Sequence, residues 1–174
     1  MTKQEEIIEK EFAGQRDDEE VIVVFRRHII AMRKGFYMLL IPFVLFSIPF
    51  LIWSDNINLF YLSFVGLGIG LLLFAYKWVG WYYTYFILTD QRIRQIVQTS
   101  IFGRSVVDLG LTKIQNISYN IPGFSGEILG FGTIVIQTYV GDLVLDRIHH
   151  PEEIYNKLQD AIKDVREERE ELHE

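Results

Sequence analysis

Two long runs without any charged residue dominate the hydropathy pattern. Gly35 to Trp53 reads GFYMLLIPFVLFSIPFLIW, and Ile57 to Tyr76 reads INLFYLSFVGLGIGLLLFAY. Each is close to the ~20 residues that carry a helix across a ~30 Å hydrocarbon core. Both are apolar on every side, which suits lipid better than one packed face. The pattern predicts a hairpin of two transmembrane helices over residues 35–80, with spans at about 35–53 and 57–76. Pro42 and Pro49 sit inside the first span, where membrane helices tolerate a bend. Gly66 and Gly70 in the second have GxxxG spacing and allow close helix contact. Packing of the hairpin's own two helices is the simpler use of that spacing, and self-association is the alternative.

The texture changes after Trp81. Tyr82–Leu88, Ile93–Ile101, Arg104–Leu109, Ile114–Ile121, Thr133–Val140 and Leu143–Ile148 are short segments rich in Val, Ile, Tyr and Thr. Turn signals separate them at Thr89-Asp90-Gln91, Phe102-Gly103, Gly110, Pro122-Gly123 and Gly141-Asp142, the last read as a hairpin turn. This spacing predicts an antiparallel sandwich or partly open barrel. A helix follows: His150 at the N-cap, Pro151 at the first position, then Glu152 and Glu153 at the positive end. Ile154, Leu158, Ala161 and Val165 recur on one face, widened by Ile162, and predict a helix that closes the sheet. The charged REEREELHE extends it. Upstream, Glu5–Phe12 predicts a short helix in a solvated leader, and Val21–Phe25 a short strand or an extended approach to the membrane.

Charge orients the hairpin. Residues 1–20 carry three bases and eight acids, net −5, whereas Arg26, Arg27, Arg33 and Lys34 give the flank at 21–34 a net +4. The connector Ser54–Asn58 has no base, and Lys77 follows the second run. Basic flanks stay on the cytoplasmic side, so a multi-pass protein of the plasma membrane with both termini cytoplasmic is expected. Trp53, Trp78 and Trp81 fit interfacial aromatic belts. A cleaved signal peptide fits the first run poorly, since that run begins at residue 35 behind an acidic leader. The 174 residues are 49 % hydrophobic with a mean hydropathy of +0.16, high for a chain with 23 % charged residues. There is no cysteine, which excludes disulfides and thiolate metal sites.

Three blocks carry a resemblance: Leu88-Thr-Asp-Gln-Arg-Ile-Arg94, Asp108-Leu-Gly-Leu-Thr-Lys-Ile-Gln-Asn-Ile117 and Ile128-Leu-Gly-Phe-Gly-Thr-Ile-Val-Ile-Gln-Thr138. With Glu20-Val21 and Arg27-His28 before the first span, the chain from residue 17 to about 165 resembles the bacterial membrane-flanked pleckstrin-homology-like (PH-like) domains. The resemblance implies an α+β protein: a two-helix membrane hairpin followed by a PH-like antiparallel barrel or sandwich closed by a C-terminal helix. It implies a membrane location and a binding or scaffolding role, and no reaction. The expected parts are a leader over 1–34, the hairpin over 35–80 and a PH-like domain over 81–174 that folds by itself.

Candidate chemistry is sparse. His149-His150 has no evident third ligand among His28 and His173, and helix capping is the simpler role. Gly123-Phe-Ser-Gly126 and Gly130-Phe-Gly132 lack the lysine and helix of a phosphate loop, and nothing resembles a nucleophile elbow. Asp108, Asp142 and Asp146 read as exposed sheet residues. No catalytic residue, metal or cofactor is expected. Arg92, Arg94 and Arg104, near the first strand turns, are the candidate lipid-headgroup residues, with a solvated hairpin face as the simpler reading. Residues 81–174 carry nine bases and fourteen acids, net −5, which disfavours anionic lipid and nucleic acid. The expected partners are the lipids around the hairpin and a protein or second copy of the chain, with no nucleic acid and no small-molecule substrate. A scaffold or interaction module leads; an accessory subunit of a transport or stress-response system and a lipid sensor are the alternatives.

Overall fold

The structure, a computed structural model, describes residues 12, 14–16, 18–98 and 103–171. The expected leader helix therefore lies outside the described residues except for Phe12, as do His173 and the end of the expected strand at Ile101. The chain divides into two compact units. One comprises residues up to His28 together with Thr84–Ile96 and Val106–Glu174; the other comprises Ile29–Tyr83 and Val97–Ser105.

The second unit is the apolar hairpin. A turn of 3-10 helix at Ile29–Met32 leads into α1 (Arg33–Ile52), and α2 spans Ile57–Tyr82. Both helices are long and apolar enough to cross a membrane. The Asn56 side chain caps α2 by accepting from the Asn58 N–H at 3.1 Å. Glycine sets the helix approach. A Cβ at Gly66 would lie 2.6 Å from Phe46 Cβ and 2.7 Å from Pro42 O, and one at Gly70 would collide with the Leu39 carbonyl oxygen. Gly68, on another face, has nothing within 4 Å. Phe36 packs on Phe74 and Phe50 on Phe60. The outward faces carry exposed apolar side chains such as Leu51, 76 % exposed, and Leu72, 75 % exposed.

The first unit holds β1 (Val21–Arg26), β2 (Tyr85–Thr89), β3 (Arg92–Gln98), β4 (Arg104–Gly110), β5 (Ile114–Asn120), α3 (Gly123–Leu129), β6 (Phe131–Thr138), β7 (Gly141–His149) and α4 (Pro151–Glu171), apart from the ends of β3 and β4 that fall in the hairpin unit. The strands form two sheets, ordered β1-β2-β3-β4 and β5-β6-β7. β1 pairs antiparallel with β2, β2 with β3, β5 with β6 and β6 with β7. Alternation turns Phe86, Leu88, Ile93, Ile134, Ile136 and Leu145 into one core, each at most 1 % exposed. Ile154, Leu158, Ala161 and Ile162 of α4 close that core, as their helical spacing predicts.

Three local expectations change, and one open alternative is decided. Tyr82, expected to begin a strand, ends α2, because the helix continues through Lys77–Trp81. Of the two readings of Val21–Phe25 the strand is the one formed: Val21–Arg26 joins the sheet, with Arg26 opposite Tyr85 and Phe25 opposite Phe86. The two-sheet unit is thus drawn from three stretches of chain rather than from 81–174 alone. The β6–β7 turn is Tyr139-Val140, two residues before the expected Gly141-Asp142. Gly141, at φ 145°, opens β7, and the Thr138 hydroxyl closes the turn on the Gly141 carbonyl at 2.6 Å. Finally, the stretch after Pro122-Gly123 continues as α3. Gly126 is its inner contact, since a Cβ there would meet Pro122 Cδ at 2.7 Å and Ile121 Cγ2 at 2.8 Å.

Candidate functional site

The arginines singled out for headgroup binding are not equivalent. Arg92 and Arg94 sit two apart on β3 and share one face of the strand. Arg92 grips Glu19 with a two-pronged ion pair, Nε to Oε1 at 2.8 Å and Nη2 to Oε2 at 2.7 Å. Its Nη1 reaches Asp108 at 3.0 Å, and Nη2 also donates to the Gly14 carbonyl at 2.8 Å. Arg94 holds Asp108 in the same forked way, at 2.6 and 2.8 Å, with its guanidinium 5.0 Å from the Phe12 ring centre. This forked geometry is the strong form of charge-assisted hydrogen bond.

Glu19 is the pivot, its side chain fully buried. It also accepts from the Arg16 N–H at 3.0 Å and the Thr89 hydroxyl at 2.8 Å. Burial alone pushes its carboxyl up. The hydrogen bonds from Arg92, Arg16 and Thr89, with the Arg92 charge, outweigh that and bring it to about 2. The Arg94 hydrogen bonds likewise hold Asp108 below the usual carboxylate range, against the opposing effect of burial.

These contacts correct one expectation. Arg92 and Arg94 do not form a solvated hairpin face: their side chains are only 12 % and 9 % exposed and their donors face carboxylates and a carbonyl. Asp108 is exposed on its strand, as expected, and bridges both. Arg104 is exposed at the start of β4, in the stretch Val97–Ser105 that groups with the hairpin. The polar cleft beside the network, of about 880 Å³, mixes Arg16, Arg92 and Lys113 with Asp90, Asp164 and Glu168. Charges of both signs give it no preference for an anion. Sequence reasoning missed Glu19 because about seventy residues separate it from Arg92. The available signal was the acidic run Asp17–Glu20 facing an Arg-Ile-Arg strand of opposite charge.

The residues expected at a membrane interface fall at helix and strand ends. Arg26 is exposed at the end of β1, and Arg27 is half-buried beside Asp146 at 3.8 Å. Arg33 and Lys34 are exposed in the first turn of α1, and Trp53 follows its end. At ~1.5 Å per residue the 26 residues of α2 span about 39 Å. That exceeds a ~30 Å hydrocarbon core, so the turns carrying Lys77, Trp78 and Trp81 extend past it if the other end is flush with the opposite surface.

Three histidines, His28, His149 and His150, converge. The His28 ring lies 5.1 Å from that of His149, which lies 4.2 Å from His150, and His28 stacks on Phe131 at 5.5 Å. His150 stands at the head of α4 with φ 45°. Its N–H donates to the Gly130 carbonyl at 3.0 Å and its own carbonyl accepts from Ile154 at 3.3 Å. Burial first, and then the neighbouring His150, lower the pKa of both His28 and His149. No group of three or more acidic, histidine or cysteine side chains among the described residues is placed to hold a metal ion.

The sequence profile described as Bacterial PH domain matches residues 29–162, well over half of the chain. The chain belongs to that family. This bacterial PH domain protein thereby has the fold its sequence blocks pointed to: two antiparallel sheets, a closing C-terminal helix and two apolar helices within the matched region. Among solved structures it is similar to a DUF1696 family protein with a pleckstrin-homology domain from Shewanella loihica PV-4. The two are 15 % identical over 45 % of this chain and 70 % of that one, with a TM-score of 0.38. No curated protein matches the chain. The PH-like domain makes an interaction or binding module the coarse reading of its role.

Proposed function

We propose that this bacterial PH domain protein is a membrane-anchored, non-enzymatic interaction module. Its hairpin, α1 and α2, crosses the plasma membrane with both termini cytoplasmic, and the two-sheet domain is presented at the cytoplasmic face to a protein partner or to a second copy of the chain. The observation that carries this reading is the occupancy of Arg92 and Arg94. The basic pair that would attract a phosphate headgroup is neutralised by the chain's own Glu19 and Asp108. The net −5 of residues 81–174 disfavours an anionic surface further. Anchoring raises the local concentration of a partner in the same membrane, so modest contacts suffice. The sheet order leaves β4 at an edge, with Val106 and Val107 exposed, and such an edge accepts an added strand.

Two measurements test the reading. The chain has no cysteine, so Asn56→Cys in the α1–α2 connector reports topology without background. An impermeant maleimide should label it from outside intact cells; labelling from the cytoplasmic side alone overturns the topology. For binding, the detergent-solubilised chain should retain a protein partner or itself on mild cross-linking. It should also show no preference for vesicles containing phosphoinositide or phosphatidylglycerol at physiological salt, where diffuse attraction is screened. Tight, headgroup-selective binding lost in Arg92→Ala and Arg94→Ala favours a lipid sensor instead.

A further inference from the structure

Phe124, Ile128 and Leu129 of α3 are 80 %, 64 % and 46 % exposed. Phe124 and Ile128, four apart, share one helix face. Gly126 turns the opposite side against Ile121, Pro122 and the Phe131 carbonyl. A seven-residue helix that buries a glycine and presents a phenylalanine and an isoleucine is built the wrong way round for water, and a contiguous exposed apolar face of this kind marks a contact surface.

Its place in the unit says what covers it. The chain leaves the two-sheet unit at His28 and returns at Thr84, and everything between Ile29 and Tyr83 is the apolar hairpin. Both points lie at one end of the sheets: Arg26 pairs with Tyr85, Arg27 bridges to Ile148, and the His28 N–H donates to the Arg147 carbonyl at 2.6 Å. The start of β6 is at that same end, since Phe131 pairs with His149 and its ring stacks on His28. Leu129 is two residues back along the chain, so its Cα is within about 7.6 Å of that of Phe131. Another exposed apolar pair, Tyr139 and Val140, sits at the far end of the same β6–β7 ladder.

We propose that α3 dips into the bilayer: Phe124, Ile128 and Leu129 seat among the headgroups and upper acyl chains of the membrane that anchors the same protein. The proposal rests on the anchoring described above. It is apolar seating and not headgroup recognition, because α3 brings Glu127 and no base, and α4 begins with Glu152 and Glu153. It therefore operates on neutral lipid and is insensitive to salt, unlike attraction between exposed charges. The carboxylate of Glu127 keeps the seating shallow.

Three variants of the full chain, each carrying a single introduced cysteine, test it in phosphatidylcholine vesicles. Ile128→Cys reports α3, Val140→Cys the far end of the ladder, and Leu72→Cys the outer face of α2, each labelled with a polarity-sensitive fluorophore. The expected result for the label at position 128 is a blue-shifted emission and quenching by shallow spin-labelled lipid. Its quenching by iodide should be several-fold weaker than that of the label at position 140, unchanged between low and high salt. A lipid-embedded label at position 72, with position 128 as open to iodide as position 140, overturns the proposal and leaves the anchoring intact. Protection at position 128 that disappears when protein is diluted in lipid assigns the face to a second copy and overturns it too. A label at position 72 exposed to water overturns the anchoring and the proposal together.

Discussion

Glu19 is one carboxylate holding three separate pieces of chain: the Arg16 backbone, Thr89 at the end of β2 and Arg92 at the start of β3. Replacing it by glutamine leaves the guanidinium of Arg92 without its main counter-charge in a site where that side chain is only 12 % exposed. Loss of one member of a buried pair costs about 3–5 kcal/mol, and Glu19→Gln should lower stability at pH 7 by about that much in urea unfolding of the detergent-solubilised chain. Its carboxyl titrates at about 2 when folded, against 4.5 for the free group. The stabilisation is complete above pH 4.5 and fades as the pH falls through 2, so the wild-type chain should lose stability over that window and the variant should lose less. Histidine acts in a higher range. Both His28 and His149 are held below their ordinary 6.5, so the folded state resists their protonation and stability should decline as pH drops below about 6.5. His28→Phe keeps a ring on Phe131 and should flatten that decline in thermal melts compared on either side of that pH.

Among the elements, the two hairpin helices were the most legible in sequence, because each contains a long uncharged run bounded by polar residues. Their contact face was legible too, through the glycine spacing, and it gives an internal control. Gly66→Ala and Gly70→Ala force α1 away, and overpacking of this kind costs about 1–3 kcal/mol. Gly68→Ala meets nothing and should be neutral or slightly stabilising, since alanine is the better helix former. Differential scanning of the three variants in one detergent separates these outcomes. The strands and α4 were legible from alternation and from the Ile154–Leu158–Ala161 spacing. α3 was hidden because seven residues are too short for a helical period to show, and its two glycines read as turn signals. The far end of α2 was hidden because Lys77 and the aromatic residues after it look like an interface whether or not the helix continues. The Arg92–Glu19 pair was hidden for another reason: no local pattern links residues on opposite sides of an apolar hairpin.

For the whole molecule, the decisive fact is that the two-sheet unit is interrupted by the hairpin. A fragment of residues 81–174 lacks β1, so it exposes the edge of β2 and removes Phe25, which stacks on Phe86 at 5.2 Å. Deleting a buried phenylalanine side chain alone costs about 3–5 kcal/mol. That fragment should aggregate or unfold without cooperativity, whereas residues 18–28 joined by a short flexible linker to 84–171 should give a single sharp transition by circular dichroism. The interruption also fixes an order of events during synthesis. Arg26 and Tyr85 are register partners, yet every residue of both helices is translated between them. At about 5–20 residues per second, β1 spends several seconds off the ribosome without a sheet to join. On the anchoring proposed above, a helix that fails to enter the bilayer leaves the returning strand misplaced and Phe25 bare. Completion of the first sheet then reports insertion of the hairpin, and a chain that never reaches it keeps one short apolar strand uncovered.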